Sequence, residues 1–330
     1  MTEADFDVVG IGNALVDVIS SVDDGFIEAH DFPHGATTMV ELDRAEAVYA
    51  DLPPAQELSG GSCANTIAGL ASFGASVAFI GRVRDDQLGK VYTHDLRSLG
   101  VHFDVPPATS GPATGRCLVM VTPDAHRTQC TYLGASTFIG PEDVDPSPIA
   151  RSWVTYLEGY LWDQPPAKEA IRKAASAARD ADWEVALTLS DPFCVERHRS
   201  EFGALVEDEI DVLFANEIEI CSLYEVDDFD DALQRVRRHC QIAALTRSER
   251  GSVVVADDEV HVIDAYPVER VVDTTGAGDQ YAAGFLYGLT RNFDLATCGR
   301  LGSVAAAEVI SHFGARPLVS LAALAETVVE

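Results

Sequence analysis

Short apolar runs recur at 8–11, 77–80, 154–157, 185–188, 212–215 and 242–246, and each reads as a β-strand. Between them lie stretches such as 167–178 and 231–239 whose apolar residues fall at helical spacing. Strand and helix in alternation imply a mainly parallel sheet with helices on both faces, an α/β class. Two regions depart from this rhythm. Residues 18–40 and 117–133 read as extended segments of mixed polarity, broken by the turns Pro33-His34-Gly35 and Thr122-Pro123-Asp124. No internal repeat or low-complexity linker divides the chain, and 330 residues suit one catalytic unit, a large α/β domain with a smaller inserted part.

Composition narrows the function classes. The chain is 47% hydrophobic, enough to fill a sizeable core, yet it has no run of eighteen apolar residues and begins with the acidic Met-Thr-Glu-Ala-Asp. We therefore expect no membrane span, no signal peptide and a cytoplasmic location. Seven scattered cysteines without CxxC spacing argue against a disulfide framework and a structural zinc site. A net charge of −30 argues against nucleic-acid binding, which needs a basic patch. The acidic run 225–231 reads as a solvated turn before a helix. Only Lys90, Lys168 and Lys173 supply lysine, a bias that fits adaptation to salt or a GC-rich genome equally well.

The densest candidate chemistry is Asp273-Thr274-Thr275-Gly276-Ala277-Gly278-Asp279, a small-residue turn leading into an apolar, alanine- and glycine-rich segment. Gly276, Ala277 and Gly278 let backbone N–H groups at a helix N-terminus approach an anion. Asp279 beside that anion is placed to accept the proton of an attacking hydroxyl. A lone GxGD is more often simply a capped helix start. Here a second glycine-rich element, Ser59-Gly60-Gly61-Ser62-Cys63-Ala64-Asn65, lies about 200 residues upstream. A dinucleotide-binding dehydrogenase fits poorly, because Gly10-x-Gly12 lacks the third glycine and Asp17 follows too soon.

Together the two glycine-rich blocks resemble the paired signatures of the PfkB, or ribokinase-like, family of carbohydrate and nucleoside kinases, and the match spans the chain. Three further segments resemble its adenosine kinase branch: Gly10-Ile11-Gly12-Asn13-Ala14-Leu15-Val16-Asp17, Tyr156-Leu157-Glu158-Gly159-Tyr160 and Leu187-Thr188-Leu189-Ser190-Asp191-Pro192-Phe193. Thr188 and Asp191 depart from the eukaryotic pattern, which has Asn and Ala at those positions. The resemblance implies a ribokinase-like three-layer α/β/α core at about 1–13, 43–111 and 137–330, with a small β-sheet lid from about 14–42 and 112–136. A lid suits phosphoryl transfer because it excludes water.

It also implies roles. Asp279 is the base; Gly276, Ala277 and Gly278 form the anion hole; Arg127 is a clamp on the phosphates, although an exposed hairpin arginine reads equally well. Asn13, Asp17, Gly61, Ser62 and Asn65 hold acceptor hydroxyls, and Leu15, Met39, Leu133, Ala135, Leu161 and Phe193 form an apolar wall for a base. Such a wall favours a nucleoside over a free sugar. ATP falls to Asn216, Thr246, Ser248, Gly251, Thr274, His312 and Gly314. Ser248 replaces the middle glycine of the family's Thr-x-Gly-x-x-Gly loop, and His312 is as readily an ordinary surface histidine. Glu219 in Asn216-Glu217-Ile218-Glu219 addresses Mg²⁺ through water, although that spacing is also a plain helix cap. The expected reaction is transfer of the γ-phosphate of Mg-ATP to the 5′-hydroxyl of a nucleoside, adenosine first, with a sugar kinase or a silent nucleotide-binding regulator as alternatives. A K⁺ requirement and the choice between monomer and homodimer stay open.

Overall fold

The computed structural model describes residues 4–124, 126–257 and 259–329. Among these lie strands β1 (Phe6–Ile11), β2 (Leu15–Ser21), β3 (Thr37–Met39), β4 (Ala55–Gly60), β5 (Val77–Ile80), β6 (Gly115–Val121), β7 (Arg127–Tyr132), β8 (Ser152–Glu158), β9 (Glu184–Thr188), β10 (Val212–Asn216), β11 (Ile242–Thr246), β12 (Ser252–Ala256) and β13 (Glu259–Ile263). The large sheet runs β13-β12-β11-β10-β9-β8-β1-β5. From β5 to β11 every pairing is parallel, and β12 and β13 extend it as an antiparallel hairpin. All six expected strands belong to this sheet.

Alternating side chains divide its strands between two cores. Val9, Ile11, Leu213, Ala215, Ala243 and Leu245 face the helices Pro165–Asp180, Pro192–Asp208, Glu217–Tyr224 and Phe229–Val236. On the other face, Val8, Val212, Phe214 and Ala244 pack against the helices Ser62–Ser72, Gln87–Ser98 and Ala277–Thr290. The three-layer α/β/α architecture follows. The helix expected at 231–239 starts two residues earlier and stops at Val236.

A second sheet runs β3-β7-β6-β2-β4 and holds the two extended regions expected to form a small unit. It differs from the expectation in two places. Strand β4 falls within 43–111, a stretch assigned from the sequence to the large unit, yet it pairs with β2 along its whole length. Part of 18–40 is a helix, Asp24–Ala29, capped by the Asp23 carboxylate. In β2, Leu15, Asp17 and Ile19 alternate with the fully buried Val16 and Val18, so the sheet has an apolar inner face and a more open one carrying Asp17.

Candidate active site

Ligands of open α/β sheets gather at the carboxyl ends of parallel strands, where helix N-termini also converge. In this chain Asn13 follows β1, Glu158 ends β8, Asn216 ends β10 and Thr246 ends β11. Two helices begin at the same edge, Ser62–Ser72 and Ala277–Thr290. Their close packing sets the site. A Cβ on Gly69 would come within 2.8 Å of the Ala283 methyl, so a larger residue would force the helices apart. The buried Gln280 amide stitches them, donating to the carbonyls of Asn65 and Ala315 at 3.0 Å each.

This packing brings the two glycine-rich motifs together across more than 200 residues. Ser62 Oγ donates to Asp279 Oδ1 at 2.7 Å and Asn65 Nδ2 donates to Asp279 Oδ2 at 3.1 Å. Burial raises the Asp279 carboxyl to about 6, opposed by those two hydrogen bonds and by the Arg316 charge. A carboxylate in that range is ionised at neutral pH and still basic enough to take a proton in a transition state.

The turn before Asp279 leaves room for an anion to approach its backbone. Gly276 has φ +77° and caps the helix, and an added Cβ would lie 2.7 Å from the Ala315 backbone. Only glycine meets both demands. Gly278 differs, since its missing Cβ points into open space. The Ala277 N–H donates to Thr274 O and the Gln280 N–H to Gly276 O, whereas those of Gly278 and Asp279 have no acceptor among the described residues. Two free N–H groups thus face an open cradle at the positive end of a helix.

Arg127 reaches this turn from β7. Its Nη2 lies 2.8 Å from Asp273 Oδ2 and its Nη1 donates to Thr275 Oγ1 at 3.5 Å. The side chain is only 10% exposed, which excludes the solvated hairpin arginine. Asp273 also accepts from Thr275 and from the Gly314 N–H, so one carboxylate ties the small sheet, the glycine turn and the 312–316 turn together. Thr274 is exposed on that turn.

On the acceptor side, Gly61 caps its helix at φ +102°, and a Cβ there would strike the Asn13 carbonyl. Asn13 is buried, donating to Glu158 Oε1 at 2.7 Å and accepting from Ser136 Oγ at 2.9 Å. Asp17 lies over Gly60, and burial raises it to about 6 while Arg316 and Arg127 pull it down. Sequence reasoning missed two partners, Glu158 and Arg316. Glu158 takes N–H groups from both Asn13 and Cys63, and burial lifts it to about 7. Arg316 donates to Asn65 Oδ1 at 3.3 Å and Ser59 Oγ at 2.6 Å, and pairs with Asp95 at 3.3 Å. Glu158 stood inside a quoted motif, and Arg316 lies two residues beyond Gly314.

The expected apolar wall assembles only in part. Leu133 and Met39 line a cavity of about 450 Å³, and the Leu15 side chain lies against Gly115, outside the residues lining it. Leu161, on the short helix Gly159–Asp163, instead belongs to the main core, and Ala135 is 1% exposed. Phe193 projects outward at 71% exposure and is not among the residues lining that cavity.

Of the ATP set, Asn216, Thr246 and Ser248 line one cavity of about 820 Å³, together with Arg199, Arg247 and Arg250. Gly251 closes its turn with φ +78°. Asn216 and Glu219 form a reciprocal helix cap: the Glu219 N–H donates to Asn216 Oδ1, and Glu219 accepts from Asn216 N and Nδ2. Burial raises Glu219 to about 7. His312 sits against Glu308 at 3.1 Å, while Gly314 has φ +109° and open space beyond it. The cysteines are free and mostly buried, and among the described residues no helix is long and apolar enough to cross a membrane.

The model of the pfkB family carbohydrate kinases matches residues 39–321. A 5-dehydro-2-deoxygluconokinase of Listeria monocytogenes is 30% identical over 266 residues, covering 76% of this chain and 80% of that protein. Among solved structures, the adenosine kinase of Sinorhizobium meliloti is 51% identical with a TM-score of 0.91, covering 98% of this chain and 99% of its own. A probable sugar kinase of Rhizobium etli is 46% identical, also at 0.91, covering 98% of both. With the family model spanning most of its length and both glycine motifs meeting at one carboxylate, this chain belongs to the PfkB family of kinases.

Proposed function

We propose that the protein transfers the γ-phosphate of ATP to a primary hydroxyl of a nucleoside, with adenosine as the preferred acceptor. The observation that carries this reading is Asp279, held by Ser62 and Asn65 beside two unpaired N–H groups of its own helix. The 51% identity to an adenosine kinase supports the nucleoside; the sugar kinase at 46% keeps a sugar as the second reading.

Asp279 accepts the acceptor's proton, while the N–H groups of Gly278 and Asp279 stabilise charge on the transferred group. Gly276 and Ala277 hold the turn in shape. Arg127 supplies a positive charge at the same turn and, being on the small sheet, links closure of that sheet to the site. Asn13, Asp17, Gly61 and Asn65 surround the acceptor's hydroxyls. Thr246, Ser248 and Asn216 receive the nucleotide phosphates, with Gly251, Thr274, His312 and Gly314 around them. Mg²⁺, when bound, neutralises phosphate charge. Glu219 fits it through water: both carboxylate oxygens already accept from Asn216, and a nearby cation would favour the ionised form that burial disfavours.

The test is coupled ADP release with Mg-ATP against adenosine, inosine, guanosine, cytidine, ribose and fructose, at low and high salt. Preference for adenosine supports the proposal. Turnover with a sugar alone replaces the acceptor, and silence on all six at both salt levels overturns the reading in favour of a nucleotide-binding regulator.

A further inference from the structure

Away from this site, on the small sheet, two histidines and two carboxylates from separate segments meet. His34 follows the helix Asp24–Ala29, while Asp124 and His126 lie in the turn joining β6 to β7. One ligand atom from each of His34, Asp124 and His126 lies within 4.8 Å of the others. His126 Nδ1 is 2.9 Å from Asp124 Oδ2, and His34 Nε2 is 4.0 Å from that same oxygen and 3.2 Å from Asp24 Oδ1. The two imidazole rings are 5.2 Å apart at 60°.

The backbone behind them is tied down. Thr122 Oγ1 and the His126 N–H both donate to Asp124 Oδ1, which leaves Oδ2 for the imidazoles. The Thr122 N–H donates to His126 O, closing the hairpin. The Gly35 N–H donates to Thr128 Oγ1 and the Gln129 N–H to Ala36 O, so the loop carrying His34 is pinned to β7.

We infer that His34, Asp124 and His126 form a site for a divalent transition ion of the zinc type, with Asp24, which faces the same His34 nitrogen, as a fourth ligand. Two imidazoles with carboxylates match ions of borderline softness; Mg²⁺ and Ca²⁺ prefer oxygen alone. Bonds of about 2.0 Å place tetrahedral ligand atoms about 3.3 Å apart. The present atoms, up to 4.8 Å apart, need to close by up to about 1.5 Å, a movement that exposed side chains make by rotating. Two independent surface His–Asp pairs would give the same distances without the ion, and binding separates the two cases. The backbone nevertheless links the cluster to the reaction machinery, because His126 immediately precedes Arg127, whose guanidinium rests on Asp273. An ion that joins His34 to Asp124 and His126 restrains the start of β7 and so alters turnover.

The test uses the full chain, stripped with a chelator and titrated with Co²⁺ and Zn²⁺ at 0.5 M KCl, without nucleotide. Binding of one equivalent is expected, with visible cobalt bands and no thiolate charge-transfer band, because the cysteines lie elsewhere. His34→Gln, His126→Gln and Asp124→Asn should each weaken it at least tenfold, with unchanged thermal melting in the metal-free state. No saturable binding, a thiolate band, or undiminished affinity in all three variants overturns the site. In the ADP-release assay, Zn²⁺ should change turnover of the parent chain but not of His126→Gln; an equal response in both overturns the link to Arg127. The binding measurement does not depend on the proposed reaction.

Discussion

Arg316 offers the sharpest test of how the site works, because it acts on Asp279, the proposed base, without being in either motif. Arg316 and Asp279 both hydrogen-bond the Asn65 amide, at 3.3 and 3.1 Å. That bridge sets the charges roughly 8 Å apart, which at an effective dielectric of about 20 contributes about 2 kcal/mol, or about 1.5 pH units of carboxyl pKa. Solvent in the cleft reduces this to about 1 unit. Replacing Arg316 by Met removes a charge that favours the ionised carboxylate, so the Asp279 pKa rises from about 6 toward about 7. On the proposed mechanism activity requires the ionised Asp279 and is lost as pH falls through that pKa; the acid limb of kcat/KM should therefore move up. At pH 6, kcat/KM should fall about fivefold beyond any pH-independent loss, and that additional loss should vanish by pH 9. Arg316→Lys keeps the charge and should keep the limb near its original place.

Other groups face the same cleft, including Asp17, Arg127, Glu158 and Glu219, and Arg316 also lowers the Asp17 pKa. The limb therefore reports a coupled set, and the comparison should be repeated in an Asp17→Asn background. Asp95 keeps its two hydrogen bonds from Ser59 in the Met variant, which limits collapse of the turn. A folded Arg316→Met protein whose acid limb does not move, or a Lys variant that shifts as far as Met, would refute the reasoning.

Three further outcomes are expected. Asp279→Asn should lower turnover at least about a hundredfold while ATP still binds, because only proton removal is lost; calorimetric titration and the ADP assay together check this, and near-normal turnover sinks the base assignment. Gly278→Val adds a side chain to open space, so its melting temperature should change little while turnover drops by at least tenfold; equal turnover would mean that no anion occupies the cradle. Glu158→Ala strands the N–H donors of Asn13 and Cys63 and should cost about 3 kcal/mol in urea unfolding, whereas Glu158→Gln should cost about 1 kcal/mol, since an Asn13 amide flip with Ser136 accepting restores the pairs. Equal losses for Ala and Gln would contradict that network.

The amino-acid sequence by itself determined the elements whose causes are local. Apolar runs buried on both faces make the large-sheet strands, and the glycines at 61 and 276 mark turns that only glycine adopts. It also determined the Asn216–Glu219 cap, since three-residue spacing suffices for reciprocal hydrogen bonds. Strand β4 was not legible: Ala55-Gln56-Glu57-Leu58 is polar and half exposed, and its extended form rests on pairing with β2. Leu161 and Phe193 looked alike as wall residues, and only the local chain direction turned one into the core and the other into solvent. The site is the same kind of case. Ser62 with Asp279, Asn13 with Glu158 and Arg316 with Asn65 are partners 145 to 251 residues apart. No local pattern encodes such pairs, because they depend on how closely two helices pack and which strand ends meet, and tertiary structure alone decides that.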